Sequence, residues 1–211
     1  MTEPALLCDL DGVLVDSTAA IERVCRAWAR RHGLDEELVV RTSQGRLAVE
    51  VVRACAPQLD ALAESAAMEV AHAADQDGVV AIAGAAELLR ATPPERLAVV
   101  TSCTAPLARA RFAAAGLPQP RVCVTADEIE RGKPDPQGYL RAAAALGADP
   151  AACVVLEDAP AGVAAGLAAG MHVIAVLTSH TRDELAGAHA FVADLTDVAA
   201  IAERLVAGGV S

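Results

Sequence analysis

Short apolar runs at residues 5–10, 97–101, 121–125, 153–157, 172–177 and 190–193 punctuate the chain. In these runs apolar residues follow one another instead of alternating with polar ones, so a strand formed there buries both of its faces. Between and after the later runs lie helical patterns, at residues 106–115, 136–146, 161–169 and 196–206. Buried strands alternating with helices predict an α/β fold: a three-layer, Rossmann-like arrangement with a mostly parallel sheet covered on both faces. The hydrophobic content of 54% suffices for such a core, and with aromatics at 2% the core must consist of Ala, Val and Leu.

The rhythm breaks once. Residues 17–80 carry helical patterns and no strand pattern. In the first, Ile21, Val24, Cys25, Trp28 and Ala29 share a face, Gly33 stops the helix, and Asp16, Ser17 or Thr18 can cap its start. A second begins near Gly45 and carries Leu47, Val51 and Cys55; a third carries Leu59, Leu62, Ala66, Val70 and Ala73. The expected organisation is a discontinuous core of residues 1–15 and 82–211, with an inserted helical domain at residues 16–81. A length of 211 residues suits one large domain with a smaller insert.

A net charge of −11, with one Trp, one Tyr and two Phe, argues against nucleic-acid binding, because both a phosphate-neutralising field and stacking surfaces are missing. Six cysteines stand singly without a CxxC pair, which suits free thiols in a reducing compartment. A basic-then-apolar leader and an apolar stretch long enough to span a bilayer are both lacking. The expectation is a cytoplasmic monomer with no membrane partner.

The first apolar run ends in acids. In "LLCDLDGVLVDS", residues 6–17, Asp9 and Asp11 are two apart and leave a strand on the same side, while Leu10 turns into the core. They emerge at the carboxyl end of a parallel strand, where α/β sheets place ligands. Gly12 lets the backbone turn sharply. Two fixed carboxylates can hold a hard dication such as magnesium, which would draw an anion to the site. One Asp can then act as nucleophile and the other as proton donor and acceptor. Taken alone, the stretch also admits a plainer reading, an Asp-rich turn with capping residues.

Three later stretches bear on that choice. "VVTSCT" puts Thr101 and Ser102 beyond a buried strand and before a helix, an arrangement that suits a phosphate oxygen or a simple helix cap. "RGKPDP" sets Lys133 in a Pro-bounded loop, where a surface lysine is the plain alternative. "VVLEDAPAG" ends another buried strand in Glu157 and Asp158, a second acidic strand end of the kind a dication site needs.

In this order the four stretches resemble the haloacid dehalogenase superfamily, over nearly the whole chain. A helical insert straight after the first motif is similar to the members with a C1 cap, and the later motifs resemble the small sugar- and polyol-phosphate phosphatases. That resemblance implies a phosphoric monoester hydrolase acting on a small phosphorylated metabolite. It implies Asp9 as nucleophile, passing through an aspartyl-phosphate, and Asp11 as general acid and base. Magnesium would be held by Asp9, the Asp11 carbonyl and Asp158, with Glu157 in support. Ser102 and Lys133 would bind the phosphoryl group, and Asp16 and Ser17 would form the hinge into the cap. The acid at position 11 argues against dehalogenation, since a leaving halide needs no proton.

The cap loop departs from the pattern. Its usual His-Gly is replaced by Gln44-Gly45, followed by Arg46, which leaves the substrate open. Gln44, Gly45 and Arg46 are expected to meet the leaving group. The five histidines show no ligand spacing and read as surface or capping residues. A phosphosugar mutase of β-phosphoglucomutase type is the alternative, since Arg41, Arg46 and Arg53 could serve a second phosphate. A non-catalytic phosphosugar-binding protein would be expected to lose some of Asp9, Asp11, Lys133 and Asp158.

Overall fold

A computed structural model describes residues 4–197 of the chain. Among the described residues, the main sheet is six-stranded and wholly parallel. It comprises β1 (Leu6–Cys8), β4 (Leu97–Val100), β5 (Val122–Val124), β6 (Val154–Glu157), β7 (His172–Val176) and β8 (Ala190–Val192), in the order β5-β4-β1-β6-β7-β8. Each corresponds to one of the six apolar runs, trimmed at its ends. The chain steps outward from β1 through β4 to β5, then crosses to the other side of β1 for β6. The carboxyl end of β1 therefore lies at the switch in strand order, where a crevice opens in sheets of this kind.

Alternation along the strands divides the core in two. Leu6, Cys8, Val99, Leu156 and Ile174 pack with α5 (Ala85–Ala91) and α6 (Ala105–Ala114), through Leu88, Leu107 and Phe112. Leu7, Ala98, Val100, Val155 and Val173 pack on the opposite face with α7 (Gln137–Leu146) and α8 (Pro160–Ala168), through Tyr139, Ala142 and Val163. The expected helix at residues 196–206 lies outside the described residues beyond Asp197.

Two very short strands, β2 (Val15–Asp16) and β3 (Val80–Ala81), pair antiparallel and carry the chain away from the sheet and back. Between them run α1 (Thr18–His32), α2 (Glu36–Ser43), α3 (Ala48–Cys55) and α4 (Ala61–Ala74). These helices have a core of their own, with Cys25, Trp28, Val39, Val52 and Met68 at its centre. The sequence pattern differs from this arrangement at three points. Helix α2, capped by the Asp35 carboxylate on the Leu38 N–H, is additional. The β2–β3 ribbon is too short to show a strand pattern. On α4 the expected stripe is turned: Leu62 and Val70 are 70% and 71% exposed, and the buried positions are Met68 and His72. In an Ala-rich helix the two faces differ little in hydrophobicity, so packing on α1 and α3 decides the rotation.

Candidate active site

The carboxyl ends of β1 and β6 and the loop before α7 bring four charged side chains together under cover. Asp9, Lys133, Glu157 and Asp158 are all buried. The Lys133 ammonium spends its three N–H donors on Asp9 Oδ1 at 2.6 Å, Glu157 Oε1 at 2.6 Å and the Val100 carbonyl at 3.2 Å. Glu157 is fully engaged. Its Oε1 also accepts from the Tyr139 hydroxyl at 2.7 Å, and its Oε2 accepts from the backbone N–H groups of Asp158 and Ala159. Asp158 accepts from the Ser179 hydroxyl.

Three carboxylates against one ammonium leave a surplus of negative charge in a buried site. Burial pushes the Asp9 carboxyl up to about 7; Lys133 opposes this, while Glu157 and Asp11 add to it. Burial, then Glu157 and Asp9, hold Asp158 well above the usual carboxylate range. For Lys133, burial alone would favour the neutral amine, but Asp9 and Glu157 outweigh it and raise the ammonium above its ordinary value. Asp9, Glu157 and Asp158 each offer an oxygen, all within 4.8 Å of one another. Hard oxygen donors with excess charge fit magnesium. Because the Glu157 oxygens are already occupied, Asp9 and Asp158 are the side chains left to take a cation directly. The turn at Gly12 makes the approach possible: φ is +84°, and a Cβ there would stand 1.9 Å from Asp158 Oδ2.

Asp11 sits apart, in a different kind of setting. Its Oδ1 accepts from the Ser17 hydroxyl and from Arg111 Nε at 3.1 Å, and its Oδ2 accepts from the Cys103 thiol at 2.9 Å. Burial, with Asp11 adding to it, raises the Cys103 thiol well above its ordinary value, so it stays protonated and donates. Arg111 is completely buried, and its Nη1 reaches the Asp75 carbonyl and Gln76 Oε1 just past α4.

Both aspartates border a cavity of about 140 Å³. The sheet side contributes Thr101, Ser102, Cys103 and Asp158, and the facing wall is Ile21, Cys25, Val40, Val51 and Met68 from α1–α4. The loop between α2 and α3 closes over it. The Ser102 hydroxyl donates to the Gly45 carbonyl at 3.0 Å, Gln44 Oε1 stands 3.0 Å from His180 Nε2, and exposed Arg46 lines the rim. Gly45, at φ +69°, lies so close to the turn after β6 that a Cβ would stand 3.1 Å from the Ala159 Cβ.

All nine expected site residues thus border or underlie one cavity. Lys133 is committed to the acids, and Ser102 to the loop above it. Sequence reasoning missed Arg111, Cys103, Tyr139 and Ser179. It also passed over His180, which stands 2.9 Å from the Asp158 carbonyl, and His72, which is buried and not a surface residue.

Residues 4–170 match the haloacid dehalogenase-like hydrolase family. The chain belongs to that family. The chain is 49% identical over 175 residues to hexitol phosphatase A of Escherichia coli, covering 81% of each. It is 38% identical over 206 residues to validoxylamine A 7'-phosphate phosphatase of Streptomyces hygroscopicus, covering 91% of this chain and 94% of that one. A β-phosphoglucomutase structure from Clostridium difficile superposes with a TM-score of 0.84 over 98% of each chain at 19% identity, a likeness of fold alone.

Proposed function

We propose that this hydrolase is a magnesium-dependent phosphatase acting on a small phosphorylated sugar or polyol, with the phosphoryl group carried on Asp9. The observation that supports this most is the contrast between two neighbouring carboxylates. Asp9 lies in the charged cluster with Lys133, and Asp11 is held by donors at the cavity wall. Two carboxylates in distinct settings suit two distinct roles. Phosphatases among the similar proteins add weight, including one named for hexitol.

In this reading the Asp9 carboxylate attacks phosphorus in line and the P–O bond to the alcohol breaks, with Asp11 giving the leaving oxygen its proton. Asp11 then takes a proton from water as that water attacks the aspartyl-phosphate, releasing inorganic phosphate and restoring Asp9. Lys133 offsets charge on Asp9 and on the incoming phosphoryl oxygens, and Ser102 exchanges its bond to Gly45 for one to a phosphoryl oxygen. Magnesium, held by Asp9, the Asp11 carbonyl and Asp158 with Glu157 in support, would supply further charge neutralisation. Residues 16–81 act as a cap, hinged at Asp16 and Ser17, that excludes bulk water.

Assays of phosphate release from glycerol, hexitol, sugar and aryl phosphates, with magnesium and with chelator, test the proposal. Release that requires magnesium and favours the hydroxylated substrates is expected. No release, with interconversion of sugar phosphates in the presence of a bisphosphate, would replace it with a mutase.

A further inference from the structure

Among the described residues, two buried side-chain polar atoms have no hydrogen-bond partner: His72 Nδ1 and Arg111 Nη2. Such groups are rare in folded proteins, because leaving a buried donor or acceptor unpaired is costly. Both residues line the same cavity, the one bordered by Asp9 and Asp11. His72 is 7% exposed and Arg111 is fully buried.

The surroundings hold both groups in place. Arg111 is fixed on three sides, through Asp11 Oδ1, the Asp75 carbonyl and Gln76 Oε1, so its free Nη2 cannot swing away to find another acceptor. Gln76 donates to the backbone carbonyl of His72 at 2.7 Å and thereby links the two residues. Glu69, one turn earlier on α4, turns its Oε2 to the Thr104 N–H and hydroxyl. Burial, with Arg111 adding to it, pushes His72 down to about 4, so its ring is neutral near pH 7 and can offer a donor and an acceptor.

We infer that Arg111 Nη2 and His72 Nδ1 form a hydroxyl-binding subsite for the leaving alcohol. Arg111 donates to a hydroxyl near the oxygen that Asp11 protonates, and His72 pairs with a second hydroxyl. This rests on the phosphatase reading and narrows it to substrates whose leaving group bears neighbouring hydroxyls. A cavity of about 140 Å³ fits a short polyol chain, being smaller than the roughly 300–1,000 Å³ of sites for drug-sized ligands.

The test compares glycerol 1-phosphate with propyl phosphate, which has the same carbon chain without hydroxyls. The wild-type protein should prefer glycerol 1-phosphate in kcat/KM by roughly tenfold or more, from two contacts each contributing three- to tenfold. In His72→Leu that preference should shrink roughly three- to tenfold, while Tm holds or rises, because an unpaired buried polar group has been replaced by an apolar one of similar size. Equal kcat/KM values for the two substrates in wild type would overturn the inference without any variant. So would an unaltered preference in His72→Leu. If wild type released phosphate from neither compound but did so from an aryl phosphate, the subsite would fall and the phosphatase reading would stand. No release from any phosphate ester would remove the phosphatase reading itself.

Discussion

The two walls of the cavity are built from opposite materials. On the sheet side, Asp9, Glu157 and Asp158 lie at or just past strand ends, and Lys133, from the loop before α7, ties Asp9 to Glu157 by short charged hydrogen bonds, while the Asp158 N–H donates to Glu157. Across from them, α1–α4 present Ile21, Cys25, Val40, Val51 and Met68, an apolar face with its own core behind it. Ion pairs among the described residues of those helices are mostly on the outside, as in Arg23–Asp75, Arg26–Glu37 and Arg30–Glu36. A network of buried charges tolerates little change, because removing one member strands another. An apolar wall accepts volume-conserving replacements. On the proposed reading, the chemistry is fixed where the sheet ends, and the fit to the leaving group can vary where the helices face it. Arg111 is the exception that joins the two: it is rooted in α6, pairs with Asp11 and reaches the chain just after α4.

The largest effect separating the walls is expected at Arg111. Arg111→Met leaves Asp11 without its buried cation and should cost about 3 kcal/mol of folding stability, since half of a buried pair is removed. Denaturant unfolding checks this, and a cost near zero would mean that the ion pair ties nothing together. Asp158→Ala comes next. It deletes a carboxylate from the cluster, and half-maximal activity should need about tenfold more magnesium or beyond. A magnesium titration of phosphate release with an unmoved midpoint would place the cation elsewhere.

Protonation gives a third distinction. With Asp9 raised from 3.8 to about 7, the folded chain keeps a proton that the unfolded chain has lost across that window. Stability without metal should therefore fall as pH rises through it. Magnesium held by the cluster would compete with that proton, so its gain in Tm should be larger at pH 8 than at pH 5. Equal gains would argue that the acid cluster does not bind it. The smallest effect is expected at the rim. Arg46→Ala should lower kcat/KM on a sugar phosphate roughly three- to tenfold, with a lesser loss on a small aryl phosphate. Equal losses would assign Arg46 to the phosphoryl site or the fold.

The sheet was legible because its strands are buried on both faces, which writes each as a continuous apolar run; Leu6–Cys8 and Val154–Glu157 are instances. The acids were legible because they interrupt those runs at the ends. Arg111 was not, because one arginine on a helix ordinarily points to water, and only the packing of α6 under α4 reveals it as buried. Ser179 and His180 follow β7 in a loop with no periodicity to mark them. Helix α2 is short, and its Leu38-Val39-Val40 run does not distinguish helix from strand. His72 was misread because an Ala-rich helix does not announce which face will be covered.

The central claim is that the charged wall carries out phosphoryl transfer through Asp9. Asp9→Asn retains shape but removes the anionic nucleophile, so kcat for phosphate release from glycerol 1-phosphate, with saturating magnesium, tests it most directly. The account predicts a loss of about a thousandfold or more with the fold intact by circular dichroism. A folded Asp9→Asn protein turning over near the wild-type rate would contradict it.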